Sequence, residues 1–347
     1  MSVILQTAQE KLASLRKPSL YLIDELKLTT NDWLIVCAGF EDRAIESLKK
    51  AAGASHSFNV MVILYEPYMP ENKAHEIEEL CEAAATTYLE VTYDRRNPLA
   101  FGENLLQLLT NCYGRIFIDV SAMSRLLIIQ TIVALAGRAE QLCNCLVVYT
   151  EAKTYPPSQE QAESELEKSE KDPTMSVLFL SSGVFEITVV PELSSLAPAA
   201  SQTRLIVFPS LDSHQLIALR NELQPSRFTF IEGQPPSINM QWRAEIVSRI
   251  NQLETIRNAE RYTTSTLDYT ETLDCLLSIY SQHSIQERLI ISPTGSKMQT
   301  VGVAIFRSFI EDVQIVYPTP QDFCTPDGYT IGVGCTYVLP LDPYKID

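Results

Sequence analysis

The stretch Ile116-Phe117-Ile118-Asp119-Val120-Ser121-Ala122-Met123-Ser124-Arg125 is an apolar strand pattern closed by a short polar loop. An apolar helix pattern, Leu126 to Ala136, follows at once. The chain repeats this arrangement in Leu289-Ile290-Ile291-Ser292-Pro293-Thr294-Gly295-Ser296-Lys297, with Met298 to Phe309 as the helix. A strand, a tight loop and a helix start together present backbone N–H groups and a positive dipole end to an anion.

Matching blocks extend outward from the two loops. Trp33 to Cys37 pairs with Arg204 to Phe208, Val60 to Leu64 with Arg227 to Ile231, and Tyr88 to Tyr93 with Arg261 to Ser265. Beyond the loops, Cys145 to Tyr149 pairs with Val313 to Tyr317, and Val184 to Val190 with Gly334 to Leu339. The spacing agrees as well: 83 residues separate Ile35 from Ile118, and 85 separate Ile206 from Ile291. Near-continuous apolar strands alternating with helices predict an α/β protein with mostly parallel sheets. The expected architecture is two duplicated Rossmann-like units, each flanked by helices and closed by a terminal antiparallel edge strand. Residues 1–30 read as an N-terminal helical segment, 31–193 as the first unit, 194–203 as a linker and 204–347 as the second unit. Residues 155–175, rich in Glu, Ser and Lys, read as an insertion: a flexible solvated loop, or a lid or partner-docking segment.

The chain has 347 residues, 46% of them hydrophobic, enough for two cores. It holds no apolar run of about 18 residues, so no membrane span is expected. Its start, Met1-Ser2-Val3-Ile4-Leu5-Gln6, lacks a signal-peptide pattern. A net charge of −16 argues against an extended nucleic-acid surface. Eight scattered cysteines and four histidines give no metal spacing, Cys143 and Cys145 forming a lone pair; no metal or cofactor is expected, and a reducing cytoplasm is the natural setting.

The candidate ligand-binding residues are Asp119, Ser121, Ser124 and Arg125 in the first loop and Thr294, Gly295, Ser296 and Lys297 in the second. Gly39, Glu41 and Arg43, and Ser210, Asp212 and His214, follow the first strand of each half and flank the loops. Arg125 and Lys297 begin helices, where a cation opposes the dipole. Asp119 reads equally as a helix-turn cap, Arg43 as a surface cation paired with Glu41 or Asp42, and His214 as an exposed loop histidine. Arg95 and Arg96 read as a solvated turn, and Tyr149 and Tyr317 as packed rings or base-stacking platforms. Neither G-x-x-x-x-G-K-[ST] nor G-x-G-x-x-G is present.

The pattern Asp119-x-Ser121-x-x-Ser124-Arg125, with Ser292-Pro293-Thr294-Gly295-Ser296-Lys297, resembles the strand-four signature of CARF domains. That signature reads roughly Asp/Asn-x-Thr-Gly-Gly-Thr-Lys. This chain has Ala122 and Met123 where the family favours glycine, and no leading Asp or Asn in the second loop. CARF domains are Rossmann-like sensors of cyclic oligoadenylates in prokaryotic antiviral defence, with the ring ligand lying across two signature loops. The resemblance implies a cytoplasmic sensor of an anionic nucleotide, bound in a pseudo-two-fold pocket between the halves, with output to a protein effector. Two other readings stand beside it. One is a metal-independent ring nuclease in which Lys297 and Ser296 act on the ligand; the other is a non-binding adaptor subunit of a larger defence complex.

Overall fold

A computed structural model describes residues 7–84, 86–138, 144–171, 183–195, 202–322 and 329–344. The fold is α/β, with mostly parallel sheets flanked by helices and an antiparallel edge. The chain divides into two compact units, residues 16–156 with 325–347, and residues 1–15 with 157–324.

The first of these contains a seven-stranded sheet. Its parallel part is β2 (Trp33–Cys37), β3 (Asn59–Glu66), β4 (Thr87–Asp94), β5 (Ile116–Asp119) and β6 (Cys145–Thr150). The antiparallel edge is β14 (Thr336–Pro340) on β6, followed by β1 (Tyr21–Ile23), so the order is β1-β14-β6-β5-β2-β3-β4. On one face, Leu34, Val36, Val60, Val62, Phe117 and Val148 pack with Ile45, Leu48, Ile77 and Cys81. The last four come from the turn before α2 (Glu46–Ala54), from α2 itself and from α3 (Ala74–Ala83). Ile35, Met61, Ile118 and Val147 alternate with the strand residues and are buried too. Strands covered on both faces have no amphipathic alternation, hence their unbroken apolar runs. Helices α4 (Phe101–Leu108) and α5 (Arg125–Ala136) complete the crossovers; α5 is apolar around most of its circumference and nearly all buried.

The other unit has a wholly parallel five-stranded sheet of β8 (Thr203–Val207), β9 (Arg227–Gln234), β10 (Glu260–Ser265), β11 (Arg288–Ser292) and β12 (Gln314–Ile315). Its order is β10-β9-β8-β11-β12, the third-second-first-fourth-fifth arrangement of the other parallel set. Ile35 pairs with Ile118 in one sheet and Ile206 with Ile291 in the other. Helices α7 (Ser213–Leu223), α8 (Trp242–Ile250), α9 (Tyr269–His283) and α10 (Lys297–Phe309) connect the strands.

The unit boundaries depart from the sequence reading. The expected edge strand of the first half, β7 (Val184–Thr188), pairs with β13 (Tyr317–Pro320) as a separate two-stranded sheet. The expected edge strand of the second half, β14, joins β6 of the seven-stranded sheet, with Val338 opposite Val148 in a shared core. Antiparallel pairing follows complementary apolar faces rather than nearness in sequence, so alternation alone does not say which sheet a strand closes. Among its described residues, the N-terminal segment is helical over α1 (Ala8–Ser14), which belongs to the five-stranded unit. Beyond it the chain runs extended into β1 and sends Leu26 and Leu28 into the seven-stranded core. Most of the expected linker, at 196–201, lies outside the described residues, as do 172–175 of the expected insertion.

The described part of that insertion is not a solvated loop. It forms a helix, α6 (Gln159–Lys171), that docks on α8. Ala162 and Leu166, four residues apart, lie on one helical face and are buried against Leu211, Ile246 and Ile250. Its Glu-rich composition describes only the other face. Leu166→Ala is expected to destabilise the five-stranded unit by about 2–4 kcal/mol through the cavity it leaves. A urea midpoint unchanged from wild type would show that α6 does not contribute to that core.

Candidate functional site

Asp119 ends β5 where the sheet is covered on both faces, so its carboxylate must find donors inside the protein. Ser121 N–H donates to Oδ1 at 2.8 Å, and Ser47 Oγ donates to Oδ2. Ser121 Oγ in turn accepts the Thr150 N–H at 2.8 Å, fixing the loop to the end of β6. Ser124 caps α5, its Oγ accepting the Leu127 N–H at 3.3 Å. The Tyr65 hydroxyl accepts the Ser124 N–H at 2.5 Å and donates to the Ala122 carbonyl at 3.3 Å. Gly39 passes so close to this loop that an added Cβ would lie 2.9 Å from Ala122 Cβ.

Arg43 is buried rather than exposed, with a relative exposure of 4%. Its guanidinium binds Glu41 through Nη2 at 2.8 Å and through Nε at 3.0 Å, and Nη1 donates to the Thr150 carbonyl at 3.1 Å. Burial works against its charge, and the adjacent Glu41 carboxylate restores it, holding Arg43 firmly protonated. Glu41 also accepts from Thr330 Oγ1, and Gly332 N–H donates to Asp42 at 2.8 Å. The chain leading into β14 therefore packs over the edge that carries Arg43, with Tyr329 edge-on to Phe40 at 4.8 Å.

In the five-stranded unit the equivalent loop follows β11. Thr294 Oγ1 donates to the Phe208 carbonyl at 2.5 Å. Ser296 caps α10: its Oγ accepts the Gln299 N–H at 3.1 Å, while Gln299 Oε1 accepts the Ser296 N–H at 2.8 Å. Ser296 Oγ also donates to the Thr266 carbonyl at 2.7 Å, and Gln299 Nε2 donates to Thr264 Oγ1 at 2.9 Å. A Cβ on Gly295 would overlap Gln299 Oε1 and come within 2.9 Å of Phe208 Cβ, so only glycine fits there. Ser292 Oγ, in the place Asp119 takes in the other loop, is buried without a hydrogen-bond partner. His214 is tied to the start of α7: its N–H donates to Asp212 Oδ1 at 3.2 Å, and its Nδ1 lies 3.5 Å from the same oxygen.

Gly39, Arg43, Asp119, Ser121 and Ser124 thus gather at the carboxyl edge of one sheet, and His214, Thr294, Gly295 and Ser296 at that of the other. The predicted hydroxyl donors Ser121, Thr294 and Ser296 are all engaged in holding their loops. Arg125 and Lys297 occupy the first position of α5 and α10, each half-buried. Neither helix has an acidic residue in its first turn. By contrast, α1, α2, α3, α4, α6, α8 and α9 each have a glutamate there, and α7 is capped by Asp212. Tyr65, Ser47 and Gln299 were not legible as site residues, whereas Glu41 was. Gln299 was within reach, because Ser296-x-x-Gln299 is a capping-box pattern.

Arg95, read as part of a solvated turn, lies with its guanidinium 5.4 Å from the centre of the Tyr65 ring. Tyr149 is buried, with the Arg43 guanidinium 5.8 Å from its ring centre, and so packs rather than offering a stacking face. Among the described residues no three His, Cys, Asp or Glu side chains are grouped to hold a metal, and no helix is long and apolar enough to cross a membrane.

No protein-family model and no curated protein matches the chain. Among solved structures, the cytoplasmic domain of a prokaryotic cation chloride cotransporter aligns over 84% of this chain and 95% of that one, at 9% identity and a TM-score of 0.26. A ketoreductase domain from the bacillaene assembly line aligns over 86% and 71%, at 11% identity and a TM-score of 0.20. Likenesses this distant carry no functional argument.

Two predictions follow from the buried charges. Arg43→Met should cost roughly 3–5 kcal/mol, because it strands Glu41, and Arg43→Met with Glu41→Leu should recover most of that loss in urea unfolding. For Asp119, burial raises the carboxyl above its ordinary 3.8, against hydrogen bonds from Ser121 and Ser47 and the charge of Arg43. A raised folded value favours the protonated form, so this contribution to stability is present below the unfolded value and lost as pH rises through the folded one. Relative to Asp119→Asn, the wild type should therefore lose stability as pH rises from about the ordinary carboxylate value of 3.8. A wild type that gains on the variant as pH rises would contradict the assignment.

Proposed function

We propose that the chain is a binding module for a small anionic ligand of the nucleotide class, for which the start of α5 and the start of α10 are each a candidate site. The observation that carries this reading is the charge pattern of the helix starts. In a chain of net charge −16, the helices that follow the two polar loops begin with Arg125 and Lys297 and have no first-turn acid. A cation at that position opposes the dipole at a cost of roughly 0.3–1 kcal/mol, which an anion at the same place would reverse. The loop signatures make cyclic oligoadenylates, and a cytoplasmic role in prokaryotic antiviral defence, the first chemistry to test. Output would pass to a protein effector.

The ring-nuclease reading draws less support. Ser296 Oγ accepts from Gln299 N–H and donates its proton to the Thr266 carbonyl, so it cannot exchange that proton without breaking the bond to Thr266. The adaptor reading draws on a different observation: the hydroxyls of Ser121, Thr294 and Ser296 are all spent inside the fold.

Thermal melting against cyclic and linear oligoadenylates separates the three. A ligand at about 100 times its Kd should stabilise the protein by roughly 2.7 kcal/mol. That gain should disappear in the variant at whichever helix start holds the ligand, Lys297→Ala or Arg125→Ala, with the ligand recovered intact. Recovery of a linear product would favour the nuclease. No stabilisation by any of them, in a folded wild type, would favour the adaptor.

A further inference from the structure

A second cationic feature lies at the opposite, amino-terminal edge of the five-stranded sheet. A groove of about 540 Å³ opens there between the end of α7 and the turns that enter β9 and β10. Arg220 and Arg257 line it together with Phe228 and Ile256. Both arginines are exposed, and among the described residues neither guanidinium makes a hydrogen bond or ion pair. Of the acids on the neighbouring elements, Glu232 and Glu254 pair with Arg261, and Glu260 with Arg204 and His283, while Glu222 is exposed on α7 two residues from Arg220. Arg220 sits in the last turn of α7, where a cation suits the helix dipole, but Arg257 lies in a turn and serves no helix.

The rest of the groove is firmly built. Phe228 stacks on Phe230, with centroids 5.8 Å apart and planes 21° apart, so its half-buried ring is fixed. Gln224, which closes α7, and Asn258, next to Arg257, both adopt left-handed backbone conformations at φ 43° and 59°. Such conformations cost energy in residues other than glycine and fix the course of the turns that carry the arginines. The groove is of the size that small organic ligands occupy, roughly 300–1,000 Å³.

We propose that this groove binds a small organic anion. Arg220 and Arg257 would grip its phosphate or carboxylate, for which guanidinium geometry is suited. A flat apolar group attached to the anion would rest on Phe228 and Ile256. The site shares no residue with the loops at the carboxyl edge, so it stands or falls apart from them.

Isothermal titration of the full chain with phenyl phosphate, and separately with benzoate, tests it and distinguishes the two anion types. The expected result is one saturable site for at least one probe. Its affinity should fall at least tenfold in Arg220→Gln/Arg257→Gln, a pair of exposed changes whose melting temperature should match wild type. Phe228→Leu should weaken the aromatic probe more than it weakens inorganic phosphate, and Lys297→Ala, remote from the groove, should leave the heat with these probes unchanged. The proposal is overturned if neither probe gives saturable heat, if the double arginine variant binds as wild type does, or if Lys297→Ala abolishes the heat instead.

Discussion

A carboxylate at the end of a strand buried on both faces cannot be left to water, and the seven-stranded unit is arranged around that constraint at Asp119. Its donors come from α2 through Ser47 and from its own loop through the Ser121 N–H. Ser121 then holds the Thr150 N–H, and the carbonyl of the same residue accepts from Arg43. One buried group thereby fixes β5, β6, α2 and the turn after β2 relative to each other. Removing any one partner leaves another polar atom unsatisfied, which costs more than the bond itself is worth.

The five-stranded unit meets the same topological demand with a neutral hub. Gln299 reaches back from the first turn of α10 to the Ser296 N–H and across to Thr264 on β10. Gly295 is required because that amide occupies the space a side chain would need. Two sheets with the same strand order therefore brace equivalent loops with different chemistry: a carboxylate and a phenol in one, an amide and a capping box in the other. Sharing a strand order does not require sharing a polar network, because the order is set by apolar burial and the network by local donors.

The strands and the parallel core were legible in the sequence because burial on both faces writes itself as continuous apolar runs, as in Trp33–Cys37 and Leu289–Ile291. The loops were legible because polar residues between such a run and a helix have few other places to go. The partners of β7 and β14 were not legible: alternation marks a strand but carries no address. The docking of α6 was hidden by composition, since two buried side chains suffice to seat a helix whose remaining residues are charged. Arg43 was read as a surface cation because nothing local announces that Thr330 and Glu41, 289 positions apart, meet above it.

The difference between the two hubs bears on which loop suits an anion better. In the seven-stranded unit the start of α5 lies over a network that holds the carboxylates of Asp119 and Glu41, balanced by the guanidinium of Arg43. Burial disfavours the charge on Asp119, yet every donor around it stabilises that charge. An anion arriving at Arg125 therefore meets a centre that has already claimed the Ser121 N–H and the Ser47 O–H. At the corresponding place in the five-stranded unit stands Ser292, neutral and without a hydrogen-bond partner, and the bracing group Gln299 is neutral too. Coulomb repulsion in a low-dielectric interior acts over several ångströms and is poorly screened. With the same dipole and a cation at the same helix position, an anion would meet less repulsion at the loop at Lys297, and the loop at Arg125 is the better-anchored structural joint.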